Sequence, residues 1–514
     1  METLSTILGM LPTFVIAVLA LTLLLLNLFK SEIPKISIIV LFSLFALYFA
    51  VLGLGITDND TGGGIVFNAD ALAFTFCFIL IVSYFLCACL GDKQLKNQEA
   101  KNAVDADVLM ALAVCGAMAM ISAANFVMVF IGLEIMSLAV YALSGVARKE
   151  KASAEASWKC FLSGAFASAF VIFGFAMIYG VTGSLDIASH QPQGSALLYA
   201  AFGLVIFGFA LKVGLAPFHY WVPNVYQGAP TTITAFMSVM LKGAVLVVLF
   251  RMLGGCFSEI SNVWVIVLGV LSVLSMFVGN VLALKQDSVK KMLAYSCIAH
   301  AGYMFMSLAV LDADALSHEA VSFYLFSYAL AIIGAFAVVL IVTGGTANQY
   351  DRDSISSFRG LGWKSPWIGI AMTLFLLSLT GIPPLAGFIG KLYVFEAVIG
   401  AEKSALAVLA AINVVIAAYY YLRVVAVMYS GKSGGKGSNA VGKNVAAKVP
   451  EQNAVLQVSG APKFVLVVAS VAVIVFGISA SSFTYVSQFK KNVLGISQIS
   501  DFDFGGGRTF RLSR

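Results

Sequence analysis

Four charged side chains sit where the surrounding sequence is otherwise apolar. Glu134 lies in Phe126-Val-Met-Val-Phe-Ile-Gly-Leu-Glu134-Ile-Met, and Lys212 follows Val205-Ile-Phe-Gly-Phe-Ala-Leu211. Lys242 follows Ala235-Phe-Met-Ser-Val-Met-Leu241 and precedes Gly-Ala-Val-Leu-Val-Val-Leu; Lys391 follows Ala386-Gly-Phe-Ile-Gly390. In a bilayer each such charge costs about 2.5–3.5 kcal/mol and usually marks a functional position. The chemistry on offer is reversible proton loading. Desolvation disfavours a charged lysine and a neighbouring carboxylate favours it, so a moving partner can load and unload the proton. Two plainer readings compete: a lysine that snorkels its ammonium to the interface, and a glutamate that only glues helices together. Lys242 has about ten residues on either side within its run, roughly 15 Å at helical rise, which is too far for comfortable snorkelling.

His300 stands in Tyr295-Ser-Cys-Ile-Ala-His300-Ala-Gly-Tyr303, again inside an apolar stretch. Imidazole titrates near neutral pH and suits a relay between lysines, while a satisfied packing histidine is the alternative. His219 follows Pro217 at a helix break and reads equally as structural or functional. His190 and His318 fall in loops or at span edges and receive no role.

The elements that must carry these groups follow from composition. The 514 residues are 60% hydrophobic and only 11% charged, with mean hydropathy +0.96; soluble domains carry roughly 25% charge. Apolar runs of about 20 residues, enough to cross the hydrocarbon core, recur along nearly the whole chain. About 14 candidates are 6–29, 35–55, 70–91, 106–121, 125–147, 158–182, 196–221, 231–253, 263–284, 290–311, 318–344, 366–400, 404–429 and 463–488. The runs are continuous rather than alternating, so helices rather than a barrel satisfy the backbone. The first has no basic flank and exceeds a signal-peptide core, so it reads as an uncleaved helix. The seven cysteines show no metal or iron–sulfur spacing, and Cys87-Ala-Cys89 reads as small-residue packing. No redox centre is expected in this chain.

Basic residues partition between alternate connections. One set holds Lys30 and Lys35; Lys93, Lys96 and Lys101; Arg148, Lys149, Lys151 and Lys159; Lys285, Lys290 and Lys291; Arg352, Arg359 and Lys364; and Lys432, Lys436, Lys443 and Lys448. The other set has little beyond Arg251 and Lys403 and carries Asp58, Asp60, Asp312 and Asp314. The positive-inside rule puts the first set in the cytoplasm and both termini outside, with the basic tail (Lys490, Lys491, Arg508, Arg511, Arg514) discordant. Helix breakers interrupt the seventh and twelfth runs, at Gly214-Leu-Ala-Pro217 beside Lys212 and at Gly381-Ile-Pro-Pro384 beside Lys391. Matched breaks in two halves point to a transporter-type repeat, pairing runs four to eight with nine to thirteen. Ser163, Gly164, Ala167 and Ser168 suit close helix packing. Gly437-Ser-Asn-Ala-Val-Gly442-Lys443 fits most of a phosphate-binding loop, but Asn444 replaces the hydroxyl residue and the setting is a Gly/Ser/Lys linker, so nucleotide binding is rejected.

The stretch Lys212-Val-Gly-Leu-Ala-Pro-Phe-His-Tyr-Trp-Val-Pro-Asn-Val-Tyr-Gln-Gly-Ala-Pro230 closely resembles the signature of the antiporter-like membrane subunits of respiratory NADH-quinone oxidoreductase (complex I). Lys290-Lys-Met-Leu-Ala-Tyr-Ser-Cys-Ile-Ala-His300 and Gly381-Ile-Pro-Pro-Leu-Ala-Gly-Phe-Ile-Gly-Lys391 resemble it too. The likeness runs from about residue 10 to 430 and resumes in the last span. Of the family's L, M and N branches, N fits: no residues remain for the long lateral helix of L, and the M branch is expected to have glutamate where Lys391 stands. Val-Tyr-Gln-Gly-Ala-Pro and Tyr179-Gly-Val-Thr-Gly-Ser184 also resemble the N branch. Asn224 replaces a usual aspartate and Leu241 a frequent proline, which touches local geometry rather than the ionisable residues.

The resemblance implies an all-α polytopic fold of about 14 transmembrane helices with two inverted five-helix repeats and discontinuous helices 7 and 12. Its segments would be an N-terminal three-helix part (1–105), the two repeats (106–255 and 260–430), a flexible cytoplasmic loop (431–460), and the last helix with its tail (461–514). It places Glu134 and Lys212 as an ion pair in a first half-channel, Lys242 as connecting lysine, His300 as central relay and Lys391 in a second half-channel. It implies that NADH, FMN, iron–sulfur clusters and quinone belong to other subunits of the parent complex, and that a neighbouring antiporter-like subunit and the lipid bilayer are partners, with no nucleic acid. The expected location is the bacterial inner membrane. A subunit of a multi-subunit sodium/proton antiporter and a purely structural scaffold are the competing functions.

Overall fold

The computed structural model describes residues 2–29, 35–56, 67–68, 70–98, 100–189, 195–311, 317–344, 353–431 and 460–479. Lys30, Asp58, Asp60, His190, Asp312, Asp314, Arg352, the phosphate-loop-like segment and the basic tail lie outside the described residues. The described chain is almost entirely helical: α1 (Glu2–Leu28), α2 (Lys35–Ile56), α3 (Ala71–Gln98), α4 (Ala100–Ile121), α5 (Phe126–Ser144), α6 (Lys151–Thr182), α7 (Ala196–Val213), α8 (Val222–Gly228), α9 (Thr231–Gly254), α10 (Ser261–Leu284), α11 (Val289–Leu308), α12 (Ser317–Thr343), α13 (Leu361–Lys364), α14 (Pro366–Thr380), α15 (Ala386–Gly400), α16 (Ser404–Tyr429) and α17 (Gly460–Ile478). Ten of the helical stretches are long and apolar enough to cross a membrane, by length and composition. Among the described residues, Pro366–Thr380, inside the twelfth expected span, is a shorter apolar helix.

The short span expected at 106–121 extends back to Ala100, and its junction with α5 is a tight turn. Asn125 closes that turn: its side-chain oxygen accepts from the Met128 amide at 2.9 Å and caps α5. Two helices occupy the middle of the bundle. The whole apolar window of α9 is buried, and so is 89% of that of α12, against 33% for α16 and α17. α9 packs on α3, α4, α11 and α12; α12 packs on α15, α17, α9, α14, α3 and α11. A helix buried on every side must be apolar all round, so any polar group it carries faces protein.

Both expected breaks are present and close in the same way. α7 ends at Gly214 (φ 77°) and α14 at Gly381 (φ 89°), each in the left-handed region where glycine carries no Cβ penalty. One orientation marker needs correction. Lys290, taken as a loop residue of the basic set, is buried in the first turn of α11, and its Nζ donates to the Ala229 carbonyl at the α8–α9 junction. Helical phase turns Lys290 inward, while its neighbour Lys291 is half-exposed.

Candidate functional site: a line of buried lysines and hydroxyls

Lys212, Lys242, His300 and Lys391 are 4%, 2%, 4% and 4% exposed, so none reaches an aqueous surface. The snorkelling reading is therefore wrong for these lysines. Each ammonium is instead held by uncharged acceptors within the bundle.

Lys212 ends α7 just before the Gly214 turn. Its Nζ donates to Tyr141 Oη (3.0 Å) on α5 and to Ser168 Oγ (2.9 Å) and the Gly164 carbonyl (3.3 Å) on α6. Gly164 has no side chain because a Cβ there would overlap the Tyr141 hydroxyl. The direct ion pair expected between Glu134 and Lys212 is not formed. α6 intervenes between α5 and α7, and Lys212 meets α5 at Tyr141, seven residues and so about 10 Å along the helix from Glu134. The half-buried Glu134 has its Oε1 enclosed without a hydrogen-bond partner. Ser137, Tyr141, Cys160, Gly164, Lys212, Trp221 and Leu241 line a small cavity of about 10 Å³, so the Lys212 chamber abuts the residue preceding Lys242.

Lys242, at mid-length of α9, donates to the Cys297 carbonyl on α11 (2.8 Å) and to Tyr328 Oη on α12 (2.9 Å), and lies 4.6 Å from the Tyr328 ring centre. Tyr328 also lines a second small cavity of about 10 Å³, together with His300, Tyr324, Ser327, Ser378, Gly387 and Lys391. His300 on α11 is bonded through Nδ1 to Tyr324 Oη (2.7 Å) and through Nε2 to Tyr421 Oη (3.2 Å). Lys391, in the second turn of α15, donates to the carbonyls of Leu379 (2.9 Å) and Thr380 (2.7 Å), the last residues of α14 before the Gly381 turn. Its Nζ lies 5.1 Å from the Tyr303 ring centre. Carbonyls left unpaired at a helix C-terminus carry partial negative charge and suit a cation.

The structure thus brings Lys242, His300 and Lys391 around shared tyrosines, sets Lys212 in an adjoining chamber, and leaves Glu134 at the flank of α5. His219 sits in the α7–α8 break, with its Nδ1 enclosed and unbonded. His318 stacks on Phe250 at 4.5 Å, at the start of α12. Tyr141, Tyr324, Tyr328 and Tyr421 were missed by sequence reasoning because a tyrosine in an apolar run reads as packing; their spacing offers no signal. Among the described residues no group of three His, Cys, Asp or Glu side chains comes together as metal ligands would.

A family model described as NADH:quinone oxidoreductase/Mrp antiporter, TM, matches residues 123–417, the region holding Glu134, Lys212, Lys242, His300 and Lys391. The chain is 37% identical over 430 residues to NADH-quinone oxidoreductase subunit N of Trichlorobacter lovleyi, covering 81% of this chain and 86% of that one. It is 35% identical over 487 residues to subunit N of Herminiimonas arsenicoxydans, covering 90% and 97%. Its fold is similar to a chain of respiratory complex I from Thermus thermophilus with bound aureothin (TM-score 0.73, 30% identity, 91% and 97% covered). It is similar in fold alone to a chain of the Mrp complex from Dietzia sp. DQ12-45-1b (TM-score 0.80, 20% identity, 94% and 97% covered). By sequence over most of its length, and by fold, this multi-pass membrane chain belongs to the antiporter-like family shared by NADH:quinone oxidoreductases and Mrp antiporters.

Proposed function

We propose that the chain is the N-type proton-translocating membrane subunit of an NADH:quinone oxidoreductase, carrying protons while partner subunits carry electrons. The observation that supports this most is the line itself: three lysines and a histidine, all enclosed, each within hydrogen-bond reach of a hydroxyl or carbonyl that a proton or water can share. In this reading Glu134 modulates the Lys212 chamber, Lys212 and Lys242 hold protons in turn, His300 passes them on, and Lys391 releases them from the second half. Because Lys212 rests on Tyr141 and Ser168, the Glu134 carboxylate acts on it across a gap, and a small movement of α5 would change that influence.

The finer organisation belongs to the same proposal: 14 crossings, inverted repeats at 106–255 and 260–430, both termini periplasmic, and flavin, iron–sulfur clusters and quinone held by partner subunits. The fold likeness to the Mrp complex favours sodium/proton exchange as the second reading. The 35–37% identity to relatives called subunit N, over most of both lengths, favours the first. Copurification of this chain with NADH-oxidising activity separates them. Lys212→Ala and Glu134→Ala should each lower NADH-driven proton pumping in membrane vesicles while the complex still assembles. Unchanged pumping in both would sink the relay.

A further inference from the structure

Each lysine of the line lies over the ring of a tyrosine, but the third uses its tyrosine differently. Lys212 Nζ lies 5.5 Å from the Tyr141 ring centre and Lys242 Nζ lies 4.6 Å from that of Tyr328, and each also donates to the hydroxyl of the same tyrosine. Lys391 Nζ lies 5.1 Å from the Tyr303 ring centre, yet the Tyr303 hydroxyl is turned elsewhere and donates to the Ala410 carbonyl on α16 (3.2 Å). Among the described residues the Lys391 ammonium has two hydrogen-bond acceptors, the Leu379 and Thr380 carbonyls, and no salt-bridge partner. An ammonium carries three hydrogens, so two carbonyls leave it one short of full satisfaction. The face of Tyr303 is the third contact that the structure supplies. That ring is itself fixed, by the hydroxyl tie to α16 and by the rings of His300 and Tyr324, whose centres are each about 6.2 Å away.

We infer that Tyr303 is a positioning residue that holds the Lys391 ammonium with its ring face alone, its hydroxyl serving only to fix the ring. The negative face of an aromatic ring attracts a cation, most strongly where water is excluded. Tyr303 and Lys391 are 2% and 4% exposed, so the contact is a desolvated one. It stands where a buried cation would otherwise need a carboxylate. Neither a ring face nor a backbone carbonyl is a base that can take the proton, so all three contacts steady the charged form without offering an exit. The way left open is the cavity that Lys391 shares with His300, Tyr324 and Ser327. The effect on pumping rests on the relay proposed above; the contact itself does not.

The test uses the assembled complex in proteoliposomes and reads two quantities. One is NADH-driven acidification per quinone reduced; the other is the charged-to-neutral ratio of Lys391 at fixed pH, from its ¹⁵Nζ resonance, identified by its loss in Lys391→Met. Tyr303→Leu should lower that ratio about five- to thirtyfold, the factor that a cation–ring contact carries away from bulk water, and lower pumping with it. Tyr303→Phe gives up the Ala410 bond but keeps the ring, and should rescue both readouts. Phenylalanines with one, two and three ring fluorines at position 303 keep the packing while draining the face of electrons, so both readouts should fall stepwise along the series. That series decides the matter even if Tyr303→Leu fails to assemble. Tyr303→Phe as impaired as Tyr303→Leu would assign the effect to the hydroxyl, and a trifluorinated ring as good as phenylalanine would reduce Tyr303 to packing; either result overturns the inference. A Lys391 ratio that follows the fluorines while pumping stays constant upholds the contact and removes Lys391 from the relay instead.

Discussion

Replacing Tyr328 by phenylalanine isolates one hydroxyl at the point where the two halves of the chain meet. The Lys242 ammonium has three contacts: the Cys297 carbonyl at 2.8 Å, Tyr328 Oη at 2.9 Å and the face of the same ring at 4.6 Å. Phenylalanine keeps the ring face, the volume and the carbonyl contact, and removes only the hydroxyl. A hydrogen bond to a charged group is worth about 1.5–3 kcal/mol. The proton-loaded form of Lys242 therefore rises by about that amount, which at 1.4 kcal/mol per factor of ten lowers its protonation equilibrium constant roughly 10- to 100-fold. The hydroxyl's other bond, to the Ser238 carbonyl, is long at 3.5 Å and contributes little to folding. Assembly should therefore survive while NADH-driven acidification by reconstituted proteoliposomes falls at least tenfold. The assay reads dye quenching against quinone-reduction rate, with the amount of assembled complex measured in the same membranes. Wild-type pumping in Tyr328→Phe would refute the assignment of this hydroxyl to the path and, with it, the link from Lys242 to the His300–Lys391 space.

Two further outcomes are expected. Lys242→Arg keeps the charge, but a guanidinium hardly gives up its proton, so pumping should drop about tenfold or more with assembly intact; wild-type turnover would argue against proton transfer through this position. Lys290→Ala should lower the thermal midpoint of the complex because it strips the Ala229 carbonyl of its donor, a loss of about 1–3 kcal/mol for a buried polar group. Lys290→Met, which refills the volume without restoring the bond, should recover only part of that loss, and wild-type midpoints in both variants would show that Lys290 is no tie.

Much of the fold is local and was legible. Apolar runs long enough to span a bilayer, the breakers at Gly214 and Gly381, and the lysines beside them are read from one stretch of chain at a time. The likeness in Lys212–Pro230 then pointed to the family that the comparisons bear out. Lys290 was misread for an instructive reason. A Lys-Lys doublet at the end of an apolar run looks like a cytoplasmic loop, and only the phase of α11 against the α8–α9 junction turns one of the two inward. The Glu134–Lys212 pair failed for a related one. Both charges were found, but α6 lies between their helices and offers Ser168 and Gly164 to the ammonium first.

By itself, the sequence determined which side chains are too costly to bury without purpose, because that cost depends on the hydropathy of immediate neighbours. It could not determine what receives each ammonium. Tyr141 lies 71 residues from Lys212, and Tyr328 lies 86 from Lys242. A tyrosine on an apolar helix is a packing residue or a proton partner according to which helix faces it. Only the bundle decides that, by bringing α5, α6 and α7 together around one lysine and α9, α11 and α12 around another.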